Sequence, residues 1–328
     1  MRQQSSRMDV HVSIVGEPSR AYADMIKLLL YSLRAHGGAL RNAPVTVAMN
    51  AEALPAADRS EIAAFDPVTF RVMPRQHGGA FTNKFNALYA PLADYDVLVY
   101  LDCDTVVFDA LDEMVAGMNP DEPQFRGRKI GYPGAQSAGA VEPLLCEYAL
   151  PEGVTLDNVA DDRFPLGYPL FNGGVMVVTR PAVRLIRRDA SKIAYELFAR
   201  RAATAKSTLF EMMKEAARRV RHRIAPDADQ STYDYWVTEQ LGVAFSILKN
   251  EIEYDLLDPR FNWVQPHALN DGELPALFHY MSGRHEAVDR EQLFAGDWID
   301  QYRSGDAAAR RTLATMAREY AAAHAPDA

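Results

Sequence analysis

Asp102-Cys103-Asp104 is the tripeptide of this 328-residue chain whose residue types and spacing speak most directly of chemistry. It closes the run Val97-Leu98-Val99-Tyr100-Leu101, five β-favouring residues that read as a strand buried on both faces. The two carboxylates then emerge at the strand's carboxyl end, where open α/β sheets hold ligands. On extended backbone, residues i and i+2 point the same way, so Asp102 and Asp104 converge on one hard cation while Cys103 turns back toward the core. Two carboxylates at one point repel each other. A divalent metal between them, its shell completed by a phosphate, relieves that repulsion. The competing reading is a strand-to-loop turn in which both side chains bond nearby backbone. Position favours the metal, because Thr105-Val106-Val107-Phe108 follows as a second apolar run that must turn back under the sheet.

Other groups carry weaker signals. Phe171-Asn172-Gly173-Gly174 precedes the strand Val175-Met176-Val177-Val178 and reads as a turn whose glycines let backbone approach a ligand. Asn172 offers both donor and acceptor to hydroxyl groups, although a simple hairpin turn explains the same residues. Asp229-Gln230, after Pro226, opens a helix predicted over Ser231 to Leu241, in which Asp229 serves equally well as N-cap. Leu277-Phe278-His279-Tyr280 is an apolar run with one histidine, which by itself reads as a hydrogen-bonded core residue, and Gly283-Arg284 follows it.

The elements that position these residues alternate through the first half. Strands are predicted at His11 to Val15, Val45 to Met49, Val68 to Met73 and the run before Asp102; helices at Ala21 to Ala35, Ala56 to Ala64 and Phe81 to Leu92. This βαβαβαβ series implies right-handed crossovers and a mainly parallel sheet with helices on both faces. From Asn119 to Pro169 the chain is Gly- and Pro-rich and reads as loops and short helices. Two basic amphipathic helices are expected around Ala182 to Arg201 and Ser207 to Arg221.

With 48% hydrophobic and 24% charged residues, the chain has room for one sizeable core and a smaller subdomain. Its two cysteines, Cys103 and Cys146, exclude a disulfide framework, fit a reducing compartment and lack zinc-site spacing. No signal peptide or bilayer-spanning run is evident, so a cytoplasmic location is expected, with peripheral membrane contact compatible. The net charge of −9 hides an asymmetry, since residues 180 to 225 hold thirteen Lys or Arg and four Asp or Glu. A basic arm on an acidic body suits an anionic acceptor or a lipid surface better than nucleic acid, for which no recognition motif is present.

Taken in order, Phe81-Thr82-Asn83-Lys84-Phe85-Asn86-Ala87-Leu88, Leu101-Asp102-Cys103-Asp104-Thr105-Val106, Phe171-Asn172-Gly173-Gly174-Val175, Asp229-Gln230, Phe261-Asn262-Trp263 and His279 resemble glycosyltransferase family 8, the glycogenin-like members above all. The resemblance implies a GT-A nucleotide-sugar fold over residues 10–285, with the basic helical segment of about 180–225 inserted, a flexible 1–9 and a helical tail over 286–328. It further implies a metal-dependent retaining transfer of a hexose from a UDP-sugar. Asp102 would meet the ribose and the metal, with Asp104 and His279 completing the protein ligands. Two carboxylates, an imidazole and phosphate oxygens suit Mn²⁺, with Mg²⁺ a poorer fit. Lys84 would assist at the sugar or diphosphate, and Asn172, Gly173, Asp229 and Gln230 would surround the transferred sugar. At the anomeric carbon either the Asp229 carboxylate acts as nucleophile or the Gln230 amide steadies positive charge.

Members commonly carry a glycine three residues after the histidine and then Lys-Pro-Trp. Here Gly283 lies four residues on and Arg284-His285-Glu286 follows, so Arg284 stands as a substitute that can grip phosphate bidentately. Expected partners are the UDP-sugar donor, an acceptor of anionic or lipid-linked kind, and a second copy of the chain as a compatible homodimer. Two rivals stay open. In a haloacid-dehalogenase-like phosphatase Asp102 would be nucleophile and Asp104 general acid, but three strands precede the motif here and no later acidic pair completes the site. A catalytically silent sugar-nucleotide-binding protein on the same fold is the other.

Overall fold

The structure is a computed structural model that describes residues 8–76, 82–129, 144, 147–148, 170–205, 238–263, 274–280, 293–294 and 307–324. Alternating apolar runs at the start of the chain form β1 (Val10–Gly16), α1 (Arg20–His36), β2 (Val45–Asn50), α2 (Ala56–Ala63), β3 (Val68–Met73), α3 (Lys84–Tyr89) and β4 (Val97–Asp102). Ser19 caps α1 by accepting from the Tyr22 amide, and the helix stops at Gly37, followed by Gly38 at φ +59°, a conformation glycine adopts without strain. Then come β5 (Thr105–Val107), α4 (Asp112–Val115), β6 (Gln124–Lys129), β7 (Phe171–Thr179), α5 (Arg180–Ala205), α6 (Thr238–Lys249), β8 (Glu253–Leu256), β9 (Leu277–His279) and α7 (Ala307–Ala323).

The architecture is α/β with a mainly parallel central sheet. Seven strands run in the order β3-β2-β1-β4-β7-β6-β8, parallel from β3 through β4 and antiparallel on both sides of β7. Strand periodicity divides the apolar side chains between two faces. Val97, Val99 and Leu101 pack with Val12, Val47 and the apolar side of α1, while Leu98 and Tyr100 pack on the other face with Phe85, Val183, Ile186 and Val243. Helices therefore cover both faces. Asp102, in step with Leu98 and Tyr100, points to the second face. α7 adds Leu313, Ala317 and Tyr320 to the first core, where Tyr320 lies edge-on to Tyr31 of α1 at 5.4 Å.

Several expectations are corrected. The polar stretch from Asn119 contains a strand, β6, because Phe125 turns into the core while Arg126 reaches aside to donate to the Met114 and Ala116 carbonyls. Phe171-Asn172-Gly173-Gly174 is not a turn but the first half of β7, within the sheet. The helix expected to end at Leu241 continues to Lys249, with Glu239 and Gln240 buried near its described start. Its Ser231–Val237 portion and the second basic helix lie outside the described residues. Arg187 and Arg188 of α5 both have partners within the protein. The first lies 5.0 Å over the Tyr89 ring, and the second pairs with Asp189 at 2.8 Å and donates to Asn250. Among the described residues no helix is long and apolar enough to cross a membrane.

Candidate functional site

Strand β4 ends at Asp102 and a turn over Cys103-Asp104 leads directly into β5. A turn, and not continued extended backbone, is what brings Asp104 back beside Asp102. Cys103 points into the first core, as its place in the motif predicts. β5 pairs antiparallel with β9 in a register that sets Thr105 opposite His279, and the Tyr280 amide donates to the Asp104 carbonyl at 3.0 Å. This two-stranded sheet carries the histidine from the far end of the chain to the acidic pair. His279 Nε2 lies 3.1 Å from Asp104 Oδ1 and 3.9 Å from Asp102 Oδ2. One ligand atom from each of the three residues falls within 4.8 Å of the others, so they can share one cation.

The surroundings fix both charge and orientation. Asp102 accepts from the Tyr100 hydroxyl on one carboxylate oxygen and from Lys84 Nζ on the other at 2.7 Å. Burial opposes charge on the His279 ring, but Asp104 and then Asp102 outweigh it and raise its pKa. Burial also works against ionised Asp104, yet His279 and Lys84 hold its carboxyl below the usual range. Lys84 shows the same contest, with burial opposed and overcome by Asp102 and Glu239. Burial pushes the Cys103 thiol far up, with Asp104 and Asp102 adding to it, so the thiol stays protonated.

Lys84 reaches this corner because α3 is anchored by amides. Asn86 donates to Asn50 Oδ1 at 2.7 Å and to the Pro74 carbonyl at 2.8 Å, and Asn83 donates to Glu17 at 2.8 Å. Beside Lys84 lies a small cleft lined by Phe171, Asn172, Gly173, Glu239, Gln240 and Val243. Glu239 lies 3.5 Å from Lys84 Nζ, and its carboxyl is pushed up to about 7, by burial first, with Asp102 adding and Lys84 opposing. A Cβ on Gly173 would overlap the Glu239 carboxylate, so the glycine is what lets that side chain lie across β7.

The structure thus brings together Asp102, Asp104, His279, Lys84, Asn172 and Gly173. Asn172 lines the cleft with one part of its amide engaged inside the protein. Its Oδ1 accepts from the Gly174 amide at 2.8 Å and from Asn262 Nδ2 at 2.9 Å, so its acceptor is turned into the protein. Asp229, Gln230, Gly283 and Arg284 lie outside the described residues. Sequence reasoning missed Glu239, Gln240 and the hold of Tyr100 on Asp102. The available signal was Thr238-Glu239-Gln240, a second acid-amide pair ahead of the apolar run Leu241 to Ile247, where a buried carboxylate has no packing reason to be.

No protein-family model matches this chain, and no curated protein matches it. Among solved structures, the fold is similar to the bifunctional glycosyltransferase WbbM in apo form, with a TM-score of 0.49 and 14% identity over 95% of this chain. The chain spans about half the length of that protein, 52%. It is also similar to the galactosyltransferase LgtC in complex with donor and acceptor sugar analogs (TM-score 0.46, 15% identity, 94% of this chain and 95% of that one). An active-site mutant of LgtC gives a TM-score of 0.48 at 15% identity, with the same coverage.

Proposed function

We propose that this chain is a metal-dependent glycosyltransferase of the GT-A kind, transferring a hexose from a UDP-sugar with retention at the anomeric carbon. The observation that carries the reading is the convergence of Asp102, Asp104 and His279 at the carboxyl edge of the parallel strands, beside the cleft that Lys84 and Glu239 share. Two carboxylates and one imidazole nitrogen, with ligand atoms within 4.8 Å of one another, fit Mn²⁺ in donor type. When bound there, the cation supplies Lewis-acid stabilisation to a leaving diphosphate.

The chain's own residues do the rest. Tyr100 and Lys84 hold the Asp102 carboxylate from two sides, so it is oriented before any ligand arrives. The Lys84 ammonium sits between that carboxylate and the cleft, positioned to balance negative charge at the donor. Glu239, buried and tuned to about 7, can hydrogen-bond sugar hydroxyls in either protonation state. The neighbouring Gln240 amide oxygen can face positive charge growing on the ring, a role assigned from sequence to Gln230. Asp229 or Glu239 supplies the carboxylate if the reaction passes through a covalent intermediate. A phosphatase would instead need Asp102 as nucleophile, with its two oxygens already engaged by Tyr100 and Lys84. In this reading residues 10–285 form the transferase unit and act in the cytoplasm on an anionic or lipid-linked acceptor.

The test is calorimetry of UDP with Mn²⁺ and with EDTA, beside a screen of UDP-hexoses for slow release of free sugar. Binding that vanishes on chelation, returns with Mn²⁺ and is lost in Asp104→Ala supports the proposal. Equal affinity with and without chelator overturns the metal assignment.

A further inference from the structure

We propose that Lys84 competes with a divalent cation for Oδ2 of Asp102 and that Glu239 receives the ammonium when the cation prevails, so that filling the metal corner sets a positive charge against the cleft. The inference rests on the metal reading above and concerns the order of events at that site. The two oxygens of Asp102 are not equivalent. Oδ1 is taken by the buried Tyr100 hydroxyl, whereas Oδ2 is the oxygen that faces His279 Nε2, 3.9 Å away, in the corner shared with Asp104. A cation among these three residues therefore draws on Oδ2. That oxygen already accepts from Lys84 Nζ at 2.7 Å. An ammonium and a divalent cation on one oxygen repel each other twice as strongly as two unit charges at the same separation, and with Asp102 and His279 buried there is little water to screen them. Sharing the oxygen is costly, so one cation weakens the hold of the other.

Lys84 has acceptors to move toward. Glu239 Oε1 and the Gly173 carbonyl, both in the cleft lining, each lie 3.5 Å from Nζ. Both oxygens of Glu239 are buried without a hydrogen bond among the described residues, so this carboxylate lacks a close positive partner. A movement of Nζ by about 0.7 Å brings the 3.5 Å gap to ordinary hydrogen-bond length. A flexible four-carbon stem allows that shift while α3 stays pinned by the bonds of Asn83 and Asn86. Gly173 keeps the meeting point open, since a Cβ there would overlap the Glu239 carboxylate and lie 3.5 Å from Nζ. Asp102 keeps its orientation through the exchange, because the bond from Tyr100 is on the other oxygen. Lys84 is thus an internal counter-charge to the acidic corner and, once displaced, a cation for anionic groups in the cleft.

The experiment is calorimetry of Mn²⁺ alone on the full-length protein and two variants at about pH 8, where Glu239 is ionised, with circular dichroism to confirm folding. Lys84→Met removes the competitor and keeps an apolar stem, so Mn²⁺ should bind about 10-fold more tightly, a coupling of ordinary size between neighbouring sites. Glu239→Gln removes the charge that receives the ammonium, at a residue outside the ligand set, and Mn²⁺ should bind about 5-fold more weakly. A lysine that only orients Asp102 gives weaker binding in Lys84→Met and no change in Glu239→Gln. Equal or weaker binding by a folded Lys84→Met overturns the competition and leaves the metal reading standing. Wild-type affinity in Glu239→Gln overturns the handover, and this variant decides alone if Lys84→Met does not fold. Mn²⁺ bound by none of the three proteins sinks the metal reading and the competition with it.

Discussion

Glu239 is a carboxyl buried beside a lysine, and its pKa moves from 4.5 to about 7 because burial outweighs the nearby ammonium. An acid raised on folding binds more protons in the folded than in the unfolded chain, so it lowers stability as pH climbs between those two values. Its full penalty applies above the folded value and none applies below the unfolded one. Glu239→Gln removes the titration. The variant should therefore gain relative to wild type at about pH 8 and not near pH 5, with a ceiling of about 3 kcal/mol reduced by the loss of one Lys84 partner. Urea denaturation at the two pH values checks this, and a gain equal at both would show that Glu239 is not the titrating group. The same substitution bears on function, because a neutral amide offers sugar hydroxyls a different donor pattern.

At the scale of elements, the cleft depends on how closely α6 lies against α5. Gly242 of α6 makes that approach, since a Cβ there would sit 2.6 Å from the Ala190 carbonyl and 3.0 Å from Ala194 Cβ. In an isolated helix, glycine to alanine gains up to about 1 kcal/mol. Here backbone blocks the added methyl, so Gly242→Ala should destabilise by about 1–3 kcal/mol despite the better propensity. It should also push Glu239 and Gln240 out of register with Lys84, which a drop in UDP-sugar affinity would register. A urea midpoint at or above wild type would mean the helices can separate without cost. The opposite face shows a different device. Lys27 of α1, fully buried, lies 2.7 Å from Asp58 and 2.6 Å from Glu61 of α2, so a charge network and not apolar packing alone clamps these two helices.

Across the whole molecule, the carboxyl-terminal helix belongs to the same core that supports β4. Tyr320 of α7 is almost fully buried, stacks on Phe294 at 5.0 Å and meets Tyr31 edge-on. Tyr320→Ala should cost about 3–5 kcal/mol through the cavity it leaves, while UDP binding measured well below the unfolding transition stays near wild type, because Tyr320 touches none of the site residues. A variant with an unchanged urea midpoint would make α7 an appendage with no part in the core.

The sequence by itself determined the early alternation of strands and helices, because an apolar run or a 3.6-residue period is a local property that needs no partner. It also determined that Asp102 ends a buried strand and that Cys103 faces inward, whereas the turn that brings Asp104 back beside Asp102 is a feature of the folded structure. That His279 joins them was implied by the family resemblance and by no local pattern; what brings it there is the register between β5 and β9, seen only in the tertiary structure. The tertiary structure decided as well that Asn172 turns its oxygen to Gly174 and Asn262, and that Glu239 lies buried beside Lys84. An isolated carboxylate or amide in a sequence has the same donors and acceptors wherever it lies. Which of them are consumed inside the protein, and which are left for a ligand, is fixed only when distant segments close around it.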